Sequence, residues 1–155
     1  MNYEVKLQTQ TEEIPYSLLL LADETIDAID KYIHECSIAV VFTPQNIEPI
    51  GVIALYHINE NVLEIKNIAV ATTFQKQGVG KQLVDFAINY GKEHHYKKLI
   101  VGTGDYSLDA FAFYTRIGFK FYGVRANFYI DNYKDPIIEN GHRLKDMIVL
   151  KQCIN

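Results

Sequence analysis

Apolar and polar residues alternate through "NYEVKLQT" at the start of the chain, the period of a strand with one covered face. The next stretch, "PYSLLLLADETIDAIDKYIHEC", has a different rhythm. Leu18, Leu21, Ile26, Ile29 and Ile33 recur at helical spacing, which predicts one or two helices broken near Asp23. "SIAVVFTP" and "PIGVIALYHI" then read as strands joined by a turn at "TPQNIEP". "NVLEIKNIAVA" is another strand, entered through a hairpin turn at "NENV". From Val79 the spacing shifts again. Val79, Leu83, Phe86, Ala87 and Tyr90 mark an amphipathic helix ending near Gly91. "KKLIVGTG" is a short buried strand, and Ala110, Phe113, Tyr114 and Ile117 form a second helical stripe stopped by Gly118. "FKFYGVRANFYI" and "LKDMIVLKQ" close the chain as strands. The order β, α, β, β, β, α, β, α, β, β predicts a mixed α/β sheet and leaves the strand pairing open. No repeat or Gly/Ser linker divides residues 1–155, so one domain is expected.

Composition narrows the function classes. With 155 residues, 48% of them hydrophobic, the chain has enough apolar surface for a packed core. Its formal charge of −4 carries no basic excess, which argues against a nucleic-acid partner and tolerates a cationic small molecule. The two cysteines, Cys36 and Cys153, stand in no metal-binding spacing and fit a reduced compartment. "MNYEVKLQTQ" lacks the layout of a signal peptide, and "SLLLLA" is too short to span a bilayer. A soluble cytoplasmic protein is expected, without membrane attachment. His34, His57 and His142 lie in no ligand spacing and His94 and His95 suit a helix end, so no metal is expected.

The chemistry concentrates in "QKQGVGKQ", residues 75–82. A Walker A loop would need glycine where Gln75 stands and a hydroxyl where Gln82 stands. A dinucleotide fingerprint would need glycine at Leu83, and "GTGDYS" fails the same test at Ser107. Two readings remain for Gly78 and Gly80. One is a tight turn into the helix. The other is an anion site, in which bare amides at a helix N-terminus hold a phosphate or pyrophosphate.

The surroundings favour the second. Gln75, Gly78 and Gly80 form Q-x-x-G-x-G directly after "LEIKNIAV", and "AFYTRIGF" follows some thirty residues later. This trio, from about Val62 to Phe119, resembles the GCN5-related N-acetyltransferase (GNAT) superfamily. The ending "PIIENGHRLKDMIVL" looks like a subgroup of small bacterial acetyltransferases. The resemblance implies a mostly antiparallel sheet of about seven strands with four flanking helices, strands four and five splayed apart. It implies acetyl-CoA as the acetyl donor. The loop amides of Gln77, Gly78, Val79, Gly80 and Lys81 would then bind the pyrophosphate, Lys76 and Lys81 would either add charge near the phosphates or stand as solvated lysines, and Gln75 belongs to the same cofactor-binding set. Ile68, Ala69 and Val70 would pair their backbone with the pantetheine arm like an added strand. Ser107 and Phe113 complete that set. Ser107 departs from the family pattern, where asparagine is common, and either contacts the cofactor or caps a helix.

Acetyl transfer to an amine requires that an ammonium lose a proton, that an oxyanion find a donor and that a thiolate gain a proton. By the resemblance, Tyr114 is the acid that protonates the thiolate, since an ordinary phenol keeps its proton at neutral pH; the alternative is one more aromatic of the packing stripe with Phe113 and Ile117. Glu64, a lone carboxylate in an apolar strand, is either the base for the amine or a solvated edge charge. A backbone N–H near Val70 would meet the oxyanion. On the acceptor side, Arg125, Tyr129 and Arg143, with Phe128 and Tyr133, either line a pocket for a small amine carrying a carboxylate or belong to an ordinary hairpin with a solvated loop. Three functions follow: N-acetylation by direct attack of a small-molecule amine such as an amino acid, N-acetylation of a protein lysine or N-terminus, or non-catalytic acyl-CoA binding. A homodimer is left open.

Overall fold

The computed structural model describes residues 3–45 and 47–155. A seven-stranded sheet runs through it, built from β1 (Val5–Leu7), β2 (Cys36–Val41), β3 (Gly51–His57), β4 (Val62–Val70), β5 (Lys98–Gly104), β6 (Lys120–Arg125) and β9 (Met147–Cys153). The spatial order is β1-β2-β3-β4-β5-β9-β6. Every neighbouring pair is antiparallel except β4 and β5, which run parallel. The mixed, mostly antiparallel sheet and the splay of strands four and five match the expected architecture.

Both faces of the sheet are covered, which is why its strands read as nearly continuous apolar runs. Helix α3 (Val79–Glu93) lies on one face and buries Leu83, Val84 and Ala87 against Ala39, Ile53, Leu55, Leu63 and Leu99. The short helices α1 (Tyr16–Leu19) and α2 (Ile26–Asp30) cover the other face. There Leu18, Leu19, Ile29 and Ile33 meet Ile38, Val40, Val52 and Ala54. Neighbouring residues of β2 thus enter opposite cores, as a period of two requires. Between the two helices the chain breaks, and Thr25 starts α2 by accepting the Ala28 N–H at 3.1 Å. Leu21 and Ile26 were expected on the buried stripe; they flank the break and are exposed.

Three boundaries differ from the sequence reading. Helix α3 runs past Gly91 to Glu93, with Gly91 inside it. A Cβ there would lie 2.3 Å from Ile154 Cδ1, so this glycine serves close packing rather than helix termination. Past Arg125 the expected strand turns. Asn127 adopts φ 57°, and α5 (Phe128–Asn132) follows, raising the helices from four to five. A two-stranded hairpin, β7 (Ile138–Glu139) with β8 (His142–Arg143), lies outside the main sheet. Its Asn140-Gly141 turn, φ 51° and 77°, has the positive-φ pair that Asn-Gly favours. Among the described residues no helix is long and apolar enough to cross a membrane.

The end of α4 (Leu108–Arg116) shows why "YTRIGF" belongs together. Gly118 takes φ 104°, which favours glycine. Its N–H donates to Thr115 O at 3.1 Å, and the Phe119 N–H reaches back to Tyr114 O at 3.0 Å. That pair of bonds is a Schellman cap, with Phe119 stacked edge-on against Tyr114 at 5.5 Å. Phe119 is fully buried. Phe119→Ala is therefore expected to cost about 3–5 kcal/mol of folding stability, read as a lower urea midpoint, through lost burial and the cavity left behind.

Candidate active site

The site begins where β4 and β5 part. They pair only from Val62↔Lys98 to Ile65↔Val101. At Lys66 the register of β4 against β3 slips, since Leu55 faces Ile65 while Ala54 faces Asn67. Such a bulge bends its strand and increases the local twist. Beyond it the two strands diverge around a cleft of about 1110 Å³. Backbone directions follow from the ladder. Val62 O accepts from Ile58, and the Ala71 N–H donates to Ile50 O, so both groups point toward β3. Alternation, with one step absorbed by the bulge, turns the backbone groups of Asn67 and Ala69 toward β3 and those of Ile68 and Val70 into the gap. Of the expected trio, Ala69 is therefore committed to the sheet. Val70 O is bridged to the loop by Gln75 Nε2 at 3.0 Å.

The glycine loop closes one end of the cleft. Lys76 and Gly78 both take positive φ, 61° and 87°, which curls the chain into the start of α3. Gly78 occupies the N-cap position without a side chain to cap it, so the first amides of the helix have no side-chain acceptor from that residue. Gln75, Lys76 and Gly80 line the cleft. Val79 turns into the core, Gln77 Nε2 donates to Thr73 O at 3.1 Å, and Lys81 pairs with Asp85 at 3.0 Å on the surface. A Cβ at Gly80 would meet only the Phe113 ring, at an ordinary 3.5 Å. Packing within the protein does not demand glycine there.

The facing wall comes from α4. Ser107, Phe113 and Tyr114 all line the cleft. Ser107 stands at the N-cap position, but its side chain caps no N–H. Tyr114 is buried, and burial raises its pKa above the ordinary phenol value. Its hydroxyl donates to no described residue, and it lines the same cleft as Ile68 and Val70.

Glu64 is not a solvated edge charge. Its side chain is only 4% exposed, and Arg125 forks it with Nη1–Oε2 at 2.9 Å and Nη2–Oε1 at 3.3 Å. Lys66 Nζ lies 3.7 Å from Oε1. Arg125, expected to face an acceptor's carboxylate, is thus occupied by Glu64. Arg143 sits exposed on β8 and does not itself line the cleft, although Glu139, Asn140 and Leu144 of the same hairpin region do. Tyr129 does line it, together with Tyr133.

A smaller cavity, about 240 Å³, adjoins the cleft and shares Asp23, Ile65, Lys66, Gly102, Tyr129 and Tyr133 with it. Sequence reasoning missed its central feature. Asp23, in the break between α1 and α2, accepts from Tyr133 Oη at 2.7 Å and from Tyr32 Oη at 2.9 Å. Tyr32 in turn accepts from Asn67 Nδ2 at 3.1 Å, and Asn67 Nδ2 also donates to Leu19 O. The buried Asn67 Oδ1 is left with no partner. The sequence reading named Tyr133 as a pocket residue and placed the helix break near Asp23, but no spacing joined the two, and nothing marked Tyr32. Among the described residues no group of three or more His, Cys, Asp or Glu side chains could hold a metal ion.

Comparison with known proteins places this arrangement. The model of the acetyltransferase (GNAT) family matches residues 7–119. The uncharacterized N-acetyltransferase YvbK of Bacillus subtilis is 35% identical over 146 residues, 94% of this chain and 93% of that protein. A GNAT family acetyltransferase from Elizabethkingia anophelis, solved with acetyl-CoA bound, shares 41% identity and a TM-score of 0.92, covering 98% of each chain. A Bacillus subtilis acetyltransferase solved with CoA shares 32% identity and a TM-score of 0.89, over 99% of this chain and 100% of that one. Sequence and fold agree over nearly the full length, and the protein belongs to the GNAT acetyltransferase family.

Proposed function

We propose that the protein moves the acetyl group of acetyl-CoA to a primary amine of a small molecule by direct attack. The observation that carries this reading is the cleft itself. The gap-facing backbone of Ile68 and Val70 stands beside a buried, protonated Tyr114, and a cavity of about 240 Å³ adjoins it. A cavity of that size suits a small acceptor better than a protein chain. The donor fits the residues present. Gly80 is bare where packing does not require it, and the uncapped start of α3 favours an anion. The relatives solved with acetyl-CoA and CoA support the same donor.

Acetyl-CoA supplies a thioester already activated toward amines. The chain's residues divide the remaining work. The loop amides and Lys76 hold the pyrophosphate, and the gap-facing backbone groups of Ile68 align the pantetheine arm, the Val70 O being bonded to Gln75. The Val70 N–H is the donor for the oxyanion. Tyr114 keeps a proton for the departing thiolate. Glu64 takes the proton from the ammonium through water, its carboxylate fixed in place by Arg125.

Release of free thiol from acetyl-CoA against a panel of alkylamines, amino acids and peptides tests the reading. Release with small amines supports it, release with peptides alone moves the acceptor to proteins, and no release leaves an acyl-CoA-binding module. At the donor loop, Gly78→Glu is expected to abolish acetyl-CoA binding in calorimetry while α3 stays folded. The new charge repels the pyrophosphate, and φ 87° strains any side chain there.

Tyr114→Phe is expected to lower turnover by roughly 10²–10⁴-fold with little change in cofactor affinity, the range for a lost general acid. Because burial raises the Tyr114 pKa, its acid form persists as pH rises. The wild-type rate should then show no decline from this group up to about pH 10. For Glu64→Gln, a lost base gives a defect that is largest near neutral pH. The defect shrinks toward about pH 10, where an alkylamine loses its proton unaided. If Glu64 serves only to pair with Arg125, the defect is the same at every pH and is accompanied by a lower melting temperature.

A further inference from the structure

Two carboxylates line the small cavity, and their electrostatic situations are opposite. Glu64 is neutralised by Arg125 and Lys66. Asp23 receives hydroxyls from Tyr32 and Tyr133 and the Glu24 N–H at 2.8 Å, yet no lysine, arginine or histidine forms an ion pair with it among the described residues. The cavity's remaining cation, Lys31, donates to Asn132 O at 3.4 Å. Neutral hydroxyl donors orient a carboxylate without cancelling its charge. Around Asp23 the cavity wall is aromatic: Tyr32, Tyr129 and Tyr133, with Tyr129 and Tyr133 stacked at 6.0 Å. The faces of such rings carry negative potential and attract cations. Burial and the nearby Asp23 charge both raise the pKa values of Tyr32 and Tyr133, so these hydroxyls remain donors. The unpartnered Oδ1 of Asn67, in the same hydrogen-bonded chain, is one more acceptor beside the cleft.

We propose that Asp23 is the acceptor-recognition residue, its carboxylate and the surrounding tyrosine rings holding the substrate as an alkylammonium ion. The proposal rests on the acetyl-transfer reading and narrows it. With Arg125 committed to Glu64, no guanidinium lines the small cavity among the described residues, and an amino acid would bring its own carboxylate toward Asp23. The favoured acceptor class is therefore a primary alkylamine without an acidic group.

NMR titration of the full chain saturated with coenzyme A tests this, using n-butylamine and its neutral counterpart 1-butanol as probes. The amine is expected to bind about tenfold more tightly than the alcohol, with the difference shrinking as salt is added. In Asp23→Asn the preference should disappear while coenzyme A affinity stays at the wild-type value. Equal binding of the two probes by the wild-type protein overturns the assignment without any variant. So does a preference that survives in Asp23→Asn. If Asp23→Asn does not fold, the wild-type probe pair decides alone. Failure of the wild-type protein to bind coenzyme A removes the acetyl-transfer reading and this proposal with it. Normal coenzyme A binding without ammonium selectivity removes only the role of Asp23.

Discussion

The parting of β4 from β5 governs the rest of the molecule. A parallel pair normally continues until a strand ends, because each unpaired N–H and C=O must find another partner. Here the slip at Lys66 twists β4 away after Ile65, and the backbone of Ile68 and Val70 is left facing a cleft. The sheet tolerates the loss because the opposite edge of β4 is fully engaged with β3 and both faces are packed. The same divergence gives Tyr114 and Ser107 a shared wall, and it opens the space between the sheet and the α1–α2 layer. Without the slip, neither the donor cleft nor the cavity beside it would exist.

Much of this was legible in the chain because the relevant signals are local. The change of period at Val79 located α3, and the apolar runs located the inner strands. The "YTRIGF" stretch encodes a helix end whose glycine and aromatic residues are needed for hydrogen bonds only a few residues apart. The misreadings arose where distant contacts override local preference. Gly91 has the look of a helix stop, but its lack of a side chain answers Ile154, sixty-three positions away. "RANFYI" has strand-like composition, but Asp146 Oδ1 accepts the Asn127 N–H at 2.8 Å and Lys145 O accepts that of Tyr129, which suits a helical turn.

The candidate site divides along the same line. The glycine loop lies in one continuous stretch, so its place at the start of α3 could be read directly. The proposed acceptor pocket is assembled from three separate stretches around Tyr32, Glu64 and Tyr133, and no spacing links them. The pairing of Arg125 with Glu64 spans sixty-one positions. A sequence displays both charges without showing that they meet, so the arginine looked available for a ligand.

The segment from Asn127 to Asp146 is held by bonds between side chains and backbone and by the packing of Phe128 and Tyr129 on Ile100, Met147 and Val149. The Asp105 carboxylate accepts the N–H groups of Lys145 and Asp146, Asp146 accepts that of Asn127, and Asn140 Nδ2 donates to Tyr106 O. None of these backbone anchors uses the side chains of Phe128, Tyr129 or Tyr133, which line the cavity instead. A segment held this way can change a residue that it turns toward the cavity while its own backbone stays pinned at both ends.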